Sequence, residues 1–123
     1  MAEYTPRYMP GAAQTWTASA SISAGQLLVV SGSGTVAPSS AASGAFLGVA
    51  GNDAASGGTV TVYTGGVQKI VAGTGGVTAG NTVEAAASGT VVAHTNGTND
   101  SNIVGVAITT ATATNVAYIQ MER

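Results

Sequence analysis

The stretch "ISAGQLLVVSGSGTV", residues 22–36, returns as "VTAGNTVEAAASGTV", residues 77–91, and that repetition decides what the chain can build. Ser23-Ala24-Gly25-Gln26 corresponds to Thr78-Ala79-Gly80-Asn81, and Ser33-Gly34-Thr35-Val36 to Ser88-Gly89-Thr90-Val91, both at an offset of 55. Phe46-Leu47-Gly48-Val49-Ala50 answers Ile103-Val104-Gly105-Val106-Ala107 at 57, and Val60-Thr61-Val62 answers Val116-Ala117-Tyr118 at 56. Four matches in one order and at nearly one offset indicate an internal duplication, repeat one spanning about 15–66 and repeat two about 67–123. A unit of about 55 residues is too small to bury a good core alone, so the two copies are expected to close face to face or as one barrel. Two copies are too few for a solenoid.

Strand signals dominate around these matches. Short runs rich in Val, Ile and Thr, punctuated by Gly, Ser and Asn, predict strands at 15–20, 26–31, 35–37, 46–50, 59–64, 67–72, 82–86, 90–94, 103–108 and 115–121. "TVTVYT" (59–64) and "VAYIQM" (116–121) alternate with period two, as strands with one wet face do. "YTGGV" (63–67) reads as a hairpin, and "HTNGTNDSN" (94–102) as an exposed polar loop. No window carries helical spacing; "SSAASGAF" (39–46) allows one helical turn at most. The predicted fold is therefore all-β: a compact β-barrel or sandwich-like single domain over residues 15–123, preceded by an extended N-terminal arm over residues 1–14.

Composition narrows the function. The hydrophobic fraction of 45% is mostly Ala and Val, with one Phe and one Trp, so each buried side chain removes little apolar area and a partner surface adds to stability. Only 7% of residues are charged, and Arg7, Lys69 and Arg123 are the only basic ones. Nucleic acid is thus an unexpected partner, because phosphate binding needs clustered cations. The absence of Cys removes thiol chemistry and disulfides. The longest apolar run, "LLVV" (27–30), is far below the ~20 residues of a membrane span, and the N-terminus lacks the apolar core of a secretory signal. Synthesis in a cytoplasm, with no membrane partner, is the expectation.

The acidic groups Glu3, Asp53, Glu84, Asp100 and Glu122 are scattered and form no local carboxylate pair. Asp53 reads as turn chemistry. The only histidine, His94, reads as a solvated strand-end residue; one His per chain supports no multi-His metal site and leaves little choice of a general base. No catalytic residue, metal or cofactor is nominated, and the expectation is a protein that is not an enzyme. The segment "MAEYTPRYMPGAAQ" (1–14) stands apart, since Tyr4, Arg7, Tyr8 and Met9 are bulky and Pro6 and Pro10 stiffen the backbone. Tyr and Arg concentrate where proteins grip one another, while termini also fray; the residue types leave both readings open. Native sheets guard their edges with charge, and with Lys69 alone for that task the sheet is expected to close on itself or to be covered by neighbours.

The run "ISAGQLLVVSGSGTVAPSSAASGAFLGVAGNDAASGGTVTVYTGGV" (22–67) resembles the capsid decoration, or cement, proteins of tailed bacteriophages. These share a "TAGQ"-like start, a Val-rich strand, a "GTV-x-P" turn and an "LGVA…VTVY" close. The resemblance implies a head-stabilising virion protein that binds the outside of an icosahedral shell, as a homotrimer, with the major capsid protein as partner. It also implies that Tyr4, Pro6, Arg7, Tyr8, Met9 and Pro10 of the arm contact that shell. The alternative function is a carbohydrate- or receptor-binding fibre or adhesin module, with Trp16, Tyr63 and Tyr118 as its available rings.

Overall fold

The computed structural model describes residues 3–8 and 11–122. Its strands are β1 (Gln14–Ala18), β2 (Leu27–Gly32), β3 (Thr35–Pro38), β4 (Phe46–Ala50), β5 (Thr59–Tyr63), β6 (Val67–Val71), β7 (Thr82–Ala86), β8 (Thr90–Ala93), β9 (Ile103–Ala107) and β10 (Val116–Met121). Each falls on an expected strand. Two single 3₁₀ turns, Ala87–Gly89 and Asp100–Asn102, are the helical elements among the described residues. The 39–46 stretch has no helical turn.

Each repeat builds its own five-stranded sheet. The first runs β1-β3-β2-β4-β5 and closes into a barrel through β5 against β1; the second runs β6-β10-β9-β7-β8, the same order in equivalent strands. Closure in repeat one needs a parallel β1–β3 pair, Thr17↔Thr35 and Ala18↔Val36. In repeat two, that seam shrinks to one parallel bridge, Ala72↔Val91. The "YTGGV" segment is not a hairpin. Gly65 and Gly66 do take positive φ, but β5 is already paired on both edges, to β1 and β4, so β6 has no edge to join. The turn instead carries the chain into the second sheet, where β6 pairs with β10.

Register refines the repeat. Ala50 pairs with Val62 in the first sheet and Ala107 with Ile119 in the second, so Val60-Thr61-Val62 is equivalent to Ala117-Tyr118-Ile119, at 57. The offset of 56 read from the sequence is one residue short. Because side chains alternate across a strand, that slip exchanges the buried face for the wet one.

With this register the two interiors match member by member. Ala18, Ile22, Leu28, Val36, Ala50, Val60 and Val62 fill the barrel, with Trp16, Leu47 and Ala54 against them. Their equivalents Ala72, Val77, Val83, Val91, Ala107, Ala117, Ile119, Ile70, Val104 and Ala111 all belong to the second cluster. That cluster also takes in Leu27, Phe46 and Val49 from repeat one. Leu27 and Leu28 are adjacent and both fully buried, one in each cluster, so β2 is a wall with a core on either side. Polar ties cross the same junction: the buried Ser39 hydroxyl donates to Ala86 O at 2.7 Å, and Gly89 N–H donates to Ser39 O at 3.0 Å.

The quoted motifs have mechanical reasons. The glycines of "SAG" and "TAG", Gly25 and Gly80, hold φ of 89° and 88°, which L side chains resist. Their N–H groups donate to Ala50 O at 2.8 Å and Ala107 O at 2.7 Å. The glycine of "LGVA" and "VGVA" serves a close approach: a Cβ on Gly48 would run into the Tyr63 carbonyl oxygen, and one on Gly105 into that of Gln120. Gly48→Ala and Gly105→Ala are each expected to lower stability by about 1–3 kcal/mol through overpacking. Thermal unfolding of the two variants checks this, and similar losses at both positions are the signature of the repeat.

Candidate functional site

The N-terminal segment is held against the barrel by stacking. Tyr8 meets Trp16 edge to face, with ring centroids 5.8 Å apart and planes at 67°. The Arg7 guanidinium lies 5.6 Å from the Tyr8 ring centroid and 5.4 Å from that of Trp16. Each such cation–π contact contributes about 0.5–1 kcal/mol at an exposed site.

A backbone need places the Tyr8 hydroxyl. Parallel pairing of β1 with β3 begins at Thr17, which leaves the N–H and C=O of Thr15 on that side without a strand partner. The hydroxyl supplies both, donating to Thr15 O at 3.0 Å and accepting from Thr15 N–H at 3.1 Å. The Thr15 N–H, and after it the Arg7 cation, holds the phenol below its usual value of 10.0.

The nominated residues thus divide. Arg7 and Tyr8 clasp Trp16, Pro6 is half-buried, and Tyr4 stands 87% exposed. Met9 and Pro10 lie outside the described residues. Of the rings available to a glycan platform, Trp16 pairs with Val60 on the inward face of the barrel, Tyr63 is on its outward face, and Tyr118 is on the other sheet. Trp16 and Tyr63 therefore face opposite sides of the barrel wall.

His94 differs from its sequence reading. It is buried, not solvated, and lies between two carboxylates: Nδ1 is 2.9 Å from Glu84 Oε1 and Nε2 is 3.0 Å from Asp100 Oδ1. Two acceptors call for two N–H donors, which the ring has only as imidazolium. The Asp100 hydrogen bond, then that of Glu84, raises the His94 value above 6.5 against the opposing effect of burial. His94, and then the Gly97 N–H, lowers that of Asp100 below 3.8. Together with the Thr82 hydroxyl on Asn96 Oδ1 at 2.7 Å, this clamp pins the 94–102 loop to β7. Asp53 is the turn residue expected: its Oδ1 accepts from Ala24 N–H at 2.7 Å, and Thr110 does the same for Ala79 at 3.0 Å.

Sequence reasoning missed one surface. On the outward face of β6, β10 and β9, Val67, Val106, Ile108, Val116 and Tyr118 are all about half exposed. The alternation of "VAYIQM" carried the signal, since Ala117, Ile119 and Met121 face the core and leave Val116 and Tyr118 outside.

These features define a contact module: a rigid β body with an aromatic-basic clasp on one half and an apolar sheet face on the other. The phage cement protein family matches residues 9–121, and the chain belongs to that family. It is a structural, capsid-associated protein of the phage virion. The fold is similar to that of the head fiber gp8.5 N base of bacteriophage phi29, with a TM-score of 0.66 at 20% identity over 90% of this chain and 93% of that one. No curated protein matches the sequence.

The clamp predicts a pH dependence. A raised histidine value stabilises the fold fully below about 6.5, and that contribution fades as pH rises through the folded-state value. The lowered Asp100 value acts on the acid side, its contribution fading as pH falls below 3.8 toward the folded-state value. Thermal midpoints are therefore expected to be highest between those limits and to decline on the alkaline side. His94→Gln should flatten that alkaline decline, which unfolding curves across a pH series will read directly.

Proposed function

We propose that this chain cements the outer surface of an icosahedral phage head, as a homotrimer whose N-terminal arms, residues 1–14, contact the major capsid protein. One observation carries the arm's part in this reading. Arg7 and Tyr8 are stacked on Trp16 while Tyr4, a few residues before them, projects 87% exposed. A segment pinned at its base and free at its aromatic tip presents a contact residue at reduced entropic cost. Family membership supplies the capsid as the partner. The strengthening is the sum of weak contacts: each arm binds modestly, and three arms on one body engage the shell together. On this reading the protein performs no catalysis.

Deletion of residues 1–10 retains the β1 residues from Gln14 but removes the Tyr8 bonds to Thr15, so thermal unfolding accompanies the binding assay; it is expected to lower co-sedimentation with empty shells by about a hundredfold in apparent affinity, the scale of lost multivalency. Tyr4→Ala tests the tip alone and should weaken binding without moving the thermal midpoint. Shell binding unchanged in both variants rejects the arm's role.

A further inference from the structure

The duplication provides an internal control for the apolar face of repeat two. In the register fixed by the strand pairs, Lys69, Val71, Val116 and Tyr118 of β6 and β10 are equivalent to Thr15, Thr17, Thr59 and Thr61 of β1 and β5. Both sets point outward from the same sheet position in the same fold. Four threonines satisfy that position in repeat one, so neither strand propensity nor the barrel demands Val and Tyr there. Ile108, on the far side of Tyr118, is equivalent to Gly51. Val106 is 40% exposed, whereas its equivalent Val49 is 4% exposed within the junction of the repeats.

The apolar members share one sheet face with Lys69 and Gln120. Cross-strand pairs set Val67 beside Gln120 and Gln120 beside Val106, Lys69 beside Tyr118, and Val71 beside Val116. Half exposed, the five large side chains present on the order of 400 Å², the scale of the largest patch on a monomer. That is about half of the ~800 Å² that each partner contributes to a stable interface. Beside Lys69, Val71 and Val116 opens a groove of about 420 Å³, bounded by residues 23–26 of repeat one and 88–90 of repeat two.

We propose that the outward face of β6, β10 and β9 is where a second copy of this chain docks. Charge favours a copy. The face carries the chain's only lysine, Lys69, in a protein of formal net charge −2 whose other surfaces are therefore acidic on balance. The counterpart of Lys69 is then an acidic surface other than this face, so the contact is head to tail, this face against a different face of the neighbour, and such contacts form a ring when the rotation closes. This rests on the trimer reading above and names the surface that would build it.

Repeat one supplies the substitutions for the test. Val116→Thr with Tyr118→Thr restores the residues found at the equivalent positions and keeps strand-forming side chains. Lys69→Glu is a second, independent variant at an exposed position. Light scattering and sedimentation velocity on the full chain across a dilution series are expected to show a wild-type oligomer. Both variants should be monomers with unchanged thermal unfolding, their self-association weakened by about a hundredfold. A monomeric wild type overturns the proposal, as does a double variant that stays oligomeric. Were a monomeric wild type to lose shell binding on the double substitution, the face would belong to the shell and the proposal would fail. An oligomer disrupted by these variants but indifferent to shells supports this face while rejecting the capsid-binding arm.

Discussion

The wall formed by β2 and β4 is the constraint from which the rest of the structure follows. A chain rich in Ala and Val has few large apolar side chains, and it concentrates Leu27, Leu28 and Phe46 where two cores meet. Burial of a Leu side chain contributes roughly 1.5–3 kcal/mol, so consecutive leucines facing opposite interiors stabilise both halves from one strand. Repeat two needs that help. Its interior replaces Trp16, Leu28 and Val60 with Ile70, Val83 and Ala117, and its parallel seam is a single bridge. Leu27, Phe46 and Val49 add to its cluster from outside.

Duplication followed by divergence explains how similar halves come to different ends. The interiors stay matched because packing fixes them, and the turn hydrogen bonds at Gly25 and Gly80 stay matched because backbone groups must be satisfied. The outward faces are under neither constraint, and there the halves part: threonines on one, Val, Tyr and Ile on the other. The distinctive contact chemistry accordingly lies outside the repeated pattern, in the clasped segment before β1 and on the outward face of β6, β10 and β9.

How much of this was legible in the sequence depended on the range of the interaction. The strands were readable because Val and Thr runs end at Gly and Asn, a local signal. Pairing was less so: "YTGGV" has hairpin chemistry, and only the closed barrel denies β6 an edge. His94 looked solvated because Glu84 and Asp100 reach it from a neighbouring strand and a loop, separations that spacing alone does not link. The missed apolar face came from one residue of register. An offset of 56 aligns Val116 with the buried Val60 and hides that it stands outside. Of the arm, residue types were legible but not the clasp, since Tyr8 answers a vacancy left by the short β1–β3 seam.

Hydrogen exchange of the backbone amides in wild type and Leu27→Ala tests the shared wall most directly. The substitution removes a side chain from the second cluster while residing in the first sheet. If the two halves are one cooperative body, protection must fall by the same factor in β4 and β5 as in β9 and β10. Protection lost in repeat two alone, with the closed barrel of repeat one untouched, would contradict the account.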